Sequence, residues 1–325
     1  MSQHYQPKLI IHGGAGSSLH SKGGVDAVRK ILHRIVEDVY AKLHQGTTAK
    51  EAVIYGCHLL ENDPRFNAGT GSVLQSDGQI RMSASLMDGT AQRFSGVINV
   101  SNVKNPIDLA EFLQSSDDRV LSDHGSAVLI RELGLPFHDP LTELRLQEWI
   151  QERRGDFSHD MASVIAEPEL AIDEVGEHAL DSEAGRGTIG VVVLDHHGHL
   201  AAGTSTGGKG FERIGRVSDS AMPAGNYATE QAAISCTGIG EHIIDECLAA
   251  RIAIRVTDGL SLAGAFERSF REAQNNHRDL GAIGISSEGA IAWGKTSDVL
   301  LAAYHTGEII GDTLELPTGL QTGSC

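Results

Sequence analysis

The chain has 325 residues, 40% of them hydrophobic and 21% charged, enough for a substantial core in one large domain or two. Its net charge of −17 lacks the basic footprint of a nucleic-acid binder, and no stretch reaches the roughly 20 apolar residues of a membrane span. Four cysteines, Cys57, Cys236, Cys247 and Cys325, form no CxxC pair, and the opening MSQHYQPKLIIHGG has no signal-like apolar run; a soluble, cytoplasmic protein with reduced thiols is expected.

KLIIH (8–12) predicts a short strand entering a glycine-rich turn, GGAG (13–16). Val28, Ile31, Leu32, Ile35, Val36, Val39 and Leu43 recur at helical spacing, and Gly46 is the expected left-handed cap. Thr48 and Glu51 form a capping box opening a second helix that runs to about Glu61, and Pro64 forbids its continuation. VLQSDGQIRMSASL predicts a hairpin turning at Asp77–Gly78, FSGVINV (94–100) another strand, and Pro106 the start of a run of helices to about Arg154. From 155 to 186 periodicity is lost; residues 157–185 carry eight acidic side chains and no lysine or arginine, as in a mobile, solvated linker.

Beyond it, TIGVVVL and HLAAGTS predict strands joined at DHHG (195–198), and AAISC (232–236) predicts another. Helices over about 241–256 and 261–274 follow, then three closing strands: AIGIS, AIAWG and VLLAAYH. Strands and paired helices without regular βαβ alternation predict an α+β fold, antiparallel sheets inside and helices outside.

Three spots suggest ligands and give little. GTSTGGKG (203–210) matches a phosphate loop at Gly203, Gly208 and Lys209, but Gly210 stands where the metal-binding hydroxyl belongs. His196, His197 and His199 crowd one turn with no second ligand pair at matching spacing, and read as solvated. HGGAG needs no more than a tight turn.

Thr188 poses a sharper question. It begins the apolar strand directly after Gly187 and the acidic segment. A threonine hydroxyl is a poor nucleophile unless a base adjoins it, and the smallest such base is the threonine's own α-amine, with a pKa near 7.7–8.0 when free. That amine is free only if the Gly187–Thr188 bond is cut. On GTIG alone the better reading is a β-branched residue starting a strand.

GTIGVVVLD (187–195), GTSTGG, GRVSDS (215–220), NYA and SCTGIGE (235–241), with HGGAG, FNAGTGSVLQ (66–75) and SASLMDG (83–89) upstream, together resemble the plant-type, N-terminal-nucleophile asparaginases, also called isoaspartyl peptidases. The motifs span nearly the whole chain, in the family's order, apart from the acidic segment. The resemblance implies self-cleavage into an α chain (1–187) and a β chain (188–325) that stay together as one four-layer αββα sandwich, with two αβ units paired. It implies that Thr188, freed as a chain end, attacks β-aspartyl amides: isoaspartyl dipeptides and L-asparagine. Thr206 would tune the nucleophile, Thr237 and Gly238 would form the oxyanion hole, and Arg216 and Asp219 would grip the α-carboxylate and α-ammonium of the substrate. Gly240 and Asn67 would complete the substrate site. No cofactor is required on this resemblance, apart from a structural sodium held by backbone oxygens of Leu60, Glu61, Asp63, Phe66, Ala68 and Thr70.

The chain also departs from the family. Ser218 replaces a glycine in GRVGDS, Pro223 opens a shortened PAGNYA loop (223–228) bordering the pocket in relatives, Ser83 stands where an acid precedes SASLMDG, and KTSDV (295–299) replaces NTxGM, another segment near the site. Two alternatives remain: a glycosylasparaginase-like amidase, whose precursors carry HDTIG where Arg186 and Gly187 stand here, and an uncleaved, non-catalytic binding protein. A taspase-like protease would lack the acid at Asp219.

Overall fold

A computed structural model of the chain describes residues 5–16, 24–154 and 187–325. The acidic segment 155–186, expected to be a mobile linker, lies outside the described residues. The first part of the chain gives β1 (Lys8–Gly16), α1 (Gly24–His44), α2 (Ala49–Glu61), β2 (Met82–Asp88), β3 (Arg93–Val100), α3 (Pro106–Leu113), β4 (Val120–Ser122), α4 (Asp123–Glu132) and α5 (Glu143–Arg154). The second part gives β5 (Ile189–Leu194), β6 (Leu200–Thr206), β7 (Asn226–Ala228), β8 (Ala232–Gly238), α6 (Gly240–Glu246), α7 (Leu248–Thr257), α8 (Leu262–Asn275), β9 (Leu280–Ser286), β10 (Ile291–Lys295), β11 (Val299–His305), β12 (Ile310–Asp312) and β13 (Gln321–Ser324).

These strands form an eight-stranded sheet, β12-β11-β1-β5-β6-β2-β3-β4, and a five-stranded sheet, β13-β10-β9-β8-β7. Every pairing is antiparallel except β3 with β4. β5 lies inside the larger sheet with all six residues buried, which is why IGVVVL is apolar on both faces rather than alternating. One core joins Val28, Leu32, Val36 and Val39 of α1 and Val53 and Leu60 of α2 to Leu9, Val191 and Val193 of the larger sheet. Another joins Ile10, Val192 and Leu300 of that sheet to Ile283, Ile285 and Ile291 of the smaller one. A third joins Ile252, Phe266 and Phe270 of α7 and α8 to Ile234 and Ala282. Each buried Val, Leu, Ile or Phe contributes about 1.5–3 kcal/mol, so these three cores fix the layers.

Local chemistry sets the helix ends. Thr48 accepts from the Glu51 N–H, and the Glu51 carboxylate accepts from the Thr48 hydroxyl at 2.8 Å and the Thr48 N–H at 3.1 Å, two bonds that hold the Glu51 carboxyl below its ordinary range. Gly46 follows α1 at φ 94°. No helix among the described residues is long and apolar enough to cross a membrane.

Several expectations need correcting. GGAG is not a turn: β1 runs through it, with its register against β11 shifting between His12 and Ala15. The hairpin at Asp77–Gly78 has its turn (Gly78 φ 78°) but no first strand; the Arg81 guanidinium instead clamps the Asp77 carboxylate at 2.9 and 3.0 Å. The helical run after Pro106 is interrupted by β4. The helix expected over 241–256 breaks at Cys247, whose φ of 46° belongs to the left-handed region.

Lys295 shows how KTSDV is used. Its side chain is fully buried, and its ammonium donates to the carbonyls of Ser297, Asp298, Pro317 and Gly319 at 3.1, 2.9, 2.7 and 3.3 Å. One cation thereby ties the β10–β11 turn to the segment leading into β13. Lys295→Met orphans four carbonyls and is expected to destabilise the fold by about 3 kcal/mol. The urea midpoint should fall with the slope unchanged; an unchanged midpoint contradicts this role.

Candidate active site

A cleft opens where three pieces of chain end together. Its walls are Thr188 with Thr206, Gly208 and Lys209; then Arg216, Ser218 and Asp219; then residues 238–241. The first wall follows from strand pairing. β5 and β6 pair antiparallel with Ile189 opposite Ser205, and one further step brings Thr188 opposite Thr206. The Thr188 hydroxyl donates to the Thr206 Oγ1 at 3.2 Å, and the Gly208 N–H donates to the same oxygen at 3.1 Å. Thr188 is 7% exposed, so its hydroxyl is screened from bulk water yet faces the cleft.

The second and third walls carry charge. The Arg216 guanidinium binds Glu241 two-pronged, Nε to Oε1 at 2.7 Å and Nη2 to Oε2 at 3.2 Å, and this bonding drops the Glu241 carboxyl to about 2. Asp219 lies beside them, buried, and burial pushes its carboxyl up to about 6 against the opposing pull of Arg216 and of the Ser218 hydroxyl at 3.3 Å. Its Oδ2 is buried without a hydrogen-bond partner among the described residues. Gly240 explains how cation and anion share one small space. A Cβ there would stand 2.5 Å from Arg216 Nη2 and 2.8 Å from Asp219 Oδ1, so a side chain would fill the gap between them.

Three expected residues sit behind the walls or at their edge. Thr237 is fully buried at the end of β8, next to Gly238 of the wall, and its hydroxyl has no hydrogen-bond partner among the described residues. Asn67 does not line the cleft; it donates to the Gly208 carbonyl at 2.8 Å, accepts from the Val73 N–H at 3.0 Å, and its own carbonyl accepts from the Gly207 N–H at 2.8 Å. Asn67 therefore braces the wall rather than presenting a group to a ligand. Gly187 is buried beside Thr188.

Leu60 and Glu61 end α2, and Asp63, Phe66, Ala68 and Thr70 occupy the loop after it; none of the six lines the cleft. The Glu61 side chain is fully buried, accepting from Ser205 Oγ at 2.6 Å, Asn105 Nδ2 at 3.0 Å and the Ile107 N–H at 3.3 Å, while burial lifts its carboxyl to about 7. Among the described residues no three His, Cys, Asp or Glu side chains converge as metal ligands, His196, His197 and His199 included.

The departures from the family pattern divide. Ser218 is in the wall and bonded to Asp219. Pro223–Ala228 and Lys295–Val299, expected near the pocket, do not line it: Asn226 is buried against Ser85 and Ala202, and Lys295 holds its carbonyls elsewhere. Ser83 is buried in β2, accepting from the Asn99 N–H.

Sequence reasoning missed two groups. Glu241 carries no signal of its own, yet it neutralises Arg216. His12 is fully buried behind Thr188; it meets Ser235 Oγ at 3.0 Å, Ser235 meets Thr204 Oγ1 at 2.7 Å, and burial lowers the imidazole to about 3 despite the adjacent Thr188 backbone. A neutral imidazole thus packs beneath the threonine.

Comparison with known proteins places the chain. A family model described as Asparaginase matches residues 5–315, and the chain belongs to that family. It is 69% identical to the isoaspartyl peptidase/L-asparaginase of Nostoc sp. (strain PCC 7120), over 100% of this chain and 99% of that one. It is 63% identical to the protein of the same name from Synechocystis sp. (strain PCC 6803), over 98% and 93%. To the plant-type L-asparaginase of Pyrococcus furiosus it is 33% identical, over 91% and 95%.

Asp219 makes the site pH-dependent. With its carboxyl at about 6, the empty cleft carries that negative charge above pH 6 and loses it below. Only the ionised form attracts a primary ammonium, so binding of a zwitterionic probe such as L-aspartate should weaken as pH falls through 6, by about tenfold per unit well below it. Calorimetric titration from pH 5 to 8 checks this, and a flat profile contradicts it. Asp219→Asn should bind the probe weakly across the range.

Proposed function

We propose that the protein is a self-processing threonine amidohydrolase that cleaves β-aspartyl dipeptides and L-asparagine. The observation that carries this reading is the Thr188 hydroxyl, bonded to Thr206 at 3.2 Å in a cleft whose opposite walls hold Arg216 and Asp219. The names of the relatives agree with it.

The chemistry runs in two stages. In the precursor, the Thr188 hydroxyl attacks the Gly187 carbonyl and the Gly187–Thr188 C–N bond breaks. The acyl group moves from nitrogen to oxygen, and water hydrolyses the ester. Gly187 leaves as a carboxylate and Thr188 keeps a free amine, which divides the chain into α (1–187) and β (188–325). In the mature enzyme that amine takes the hydroxyl proton as Thr188 Oγ attacks the side-chain carbonyl of the substrate. The tetrahedral intermediate collapses, its leaving amine departs with a proton, and water hydrolyses the aspartyl ester to release aspartate.

The surrounding groups fit these steps. Arg216 can present two donors to the α-carboxylate, and the orphaned Asp219 oxygen needs a donor such as the α-ammonium. The unpartnered Thr237 hydroxyl, with the backbone at Gly238, can donate to the oxyanion that forms. Thr206 holds the nucleophile, and Asn67 holds the strand end that carries Thr206. Helices on the outer side of each sheet support the αββα order of layers. The mature assembly we propose is (αβ)2.

A structural sodium ion is proposed at the end of α2 and the loop after it. At Gly69 (φ 56°) a Cβ would meet the Glu61 carbonyl oxygen at 2.3 Å, and at Gly71 (φ 93°) the Pro64 and Phe66 carbonyl oxygens at 2.5 and 3.0 Å. These carbonyl oxygens pack against the glycine α-carbons, and the Glu61, Leu60 and Asp63 carbonyls also accept from the Thr70, Asp63 and Phe66 N–H groups at 2.8, 3.3 and 3.2 Å. Leu60, Glu61, Asp63, Phe66, Ala68 and Thr70 would hold the ion through oxygen; it would stiffen the loop that carries Asn67 and take no part in the reaction.

Release of leucine and aspartate from β-Asp-Leu tests the proposal. Wild type should release both, Thr188→Ala neither, and Thr188→Ser should keep a measurable rate. Thr237→Val should lower kcat about a hundredfold, the cost of one oxyanion donor. Turnover by Thr188→Ala, or none by wild type, contradicts the mechanism.

A further inference from the structure

Resting on that reading, we infer that Lys209 binds the carboxylate of the leaving amino acid and so selects β-aspartyl dipeptides over L-asparagine. Lys209 is the residue that made GTSTGGKG resemble a phosphate loop, and nothing in the aspartate-binding half of the cleft uses it.

The backbone at Lys209 is fixed. Its N–H donates to Glu212 Oε1 at 3.1 Å, and the Phe211 N–H donates to the Leu74 carbonyl at 2.9 Å. Lys209 lines the cleft on the same wall as Thr188 and Thr206, and its charge reaches the Glu241 carboxyl across it. Its ammonium has no hydrogen bond or ion pair among the described residues, and the Glu241 carboxylate across the cleft already grips Arg216 with both oxygens.

Charge balance then assigns the role. The residues lining the cleft carry two cations, Lys209 and Arg216, and two anions, Asp219 and Glu241, while Glu212 lies behind the wall and accepts from the Lys209 N–H. The aspartyl head of a substrate brings one charge of each sign, which Arg216 and Asp219 receive across Gly240. L-asparagine brings nothing more, since its leaving group is ammonia. A β-aspartyl dipeptide also brings the free α-carboxylate of its second residue, and that adds one negative charge. Because the scissile bond must sit at Thr188, the leaving residue extends from the head toward the wall that Thr188 shares with Lys209. An unpaired ammonium there meets the second carboxylate with a charge-assisted hydrogen bond.

The test compares β-Asp-Leu with β-Asp-leucinamide, which has the same shape without the second negative charge. Wild type should favour the acid by about tenfold in kcat/KM, the value of one hydrogen bond to a charged group. Lys209→Gln should bring the ratio close to one, Lys209→Glu should invert it, and Lys209→Arg should preserve it. A ratio taken on one sample is independent of the fraction that has folded or processed, so an impaired variant still reports. A wild-type ratio near one, or a ratio unchanged in Lys209→Gln, overturns the assignment. Wild type that releases ammonia from L-asparagine but no leucine from β-Asp-Leu also overturns it and leaves the amidase reading standing. Wild type inert on all three substrates contradicts that reading, and the assignment falls with it.

Discussion

The antiparallel pairing of β5 with β6 is the constraint on which the rest of the site depends. β5 has no solvent-facing residue, so its register is set by core packing on both faces. A slip of one residue would exchange Val191 and Val193, which face the helices, with Val192 and Leu194, which face the second sheet. Holding that register puts Thr188 opposite Thr206 at the end of the ladder. The same strand end carries Gly207 and Gly208, braced by Asn67, and then Lys209. The proposed nucleophile Thr188, its partner Thr206 and the cation we assign to the leaving group therefore share one rigid support, as a site requiring sub-ångström placement needs.

The opposite half of the cleft is built differently, from loops and balanced charge. Arg216 and Asp219 come from one loop and Glu241 from the first turn of α6. Each anion answers a different need. Glu241, half exposed, stays ionised and neutralises Arg216 while the cleft is empty. Asp219, buried, has its carboxyl raised to about 6 by desolvation, so its ionised form gains most from an arriving ammonium. The substrate head thus completes a charge arrangement that the empty protein leaves unfinished at one carboxylate oxygen.

Much of this was legible in the residue order. α1 and α2 announce themselves by seven apolar positions at helical spacing and by the Thr48–Glu51 box, both local signals. β5 shows as an unbroken apolar run. Thr188, Arg216 and Asp219 were reached through several motifs in one order, because no single one specifies a site. What stayed hidden depends on tertiary contacts. β4, β7 and β12 have three residues each, too short for alternation to show. β1 continues through GGAG because neighbouring strands pair with it, overriding the glycines. The break at Cys247 has no glycine to mark it. Glu241 and Lys209 gain meaning only when the fold places them in the same cleft, and Lys295 only when four distant carbonyls surround it.

The central claim is that the working nucleophile is the first residue of its own chain. Intact-mass measurement with N-terminal sequencing of catalytically active protein addresses it most directly. The account predicts two polypeptides, one ending at Gly187 and one beginning at Thr188 with the sequence TIGVVV. Active protein in which every chain runs unbroken through 187–188 would contradict it.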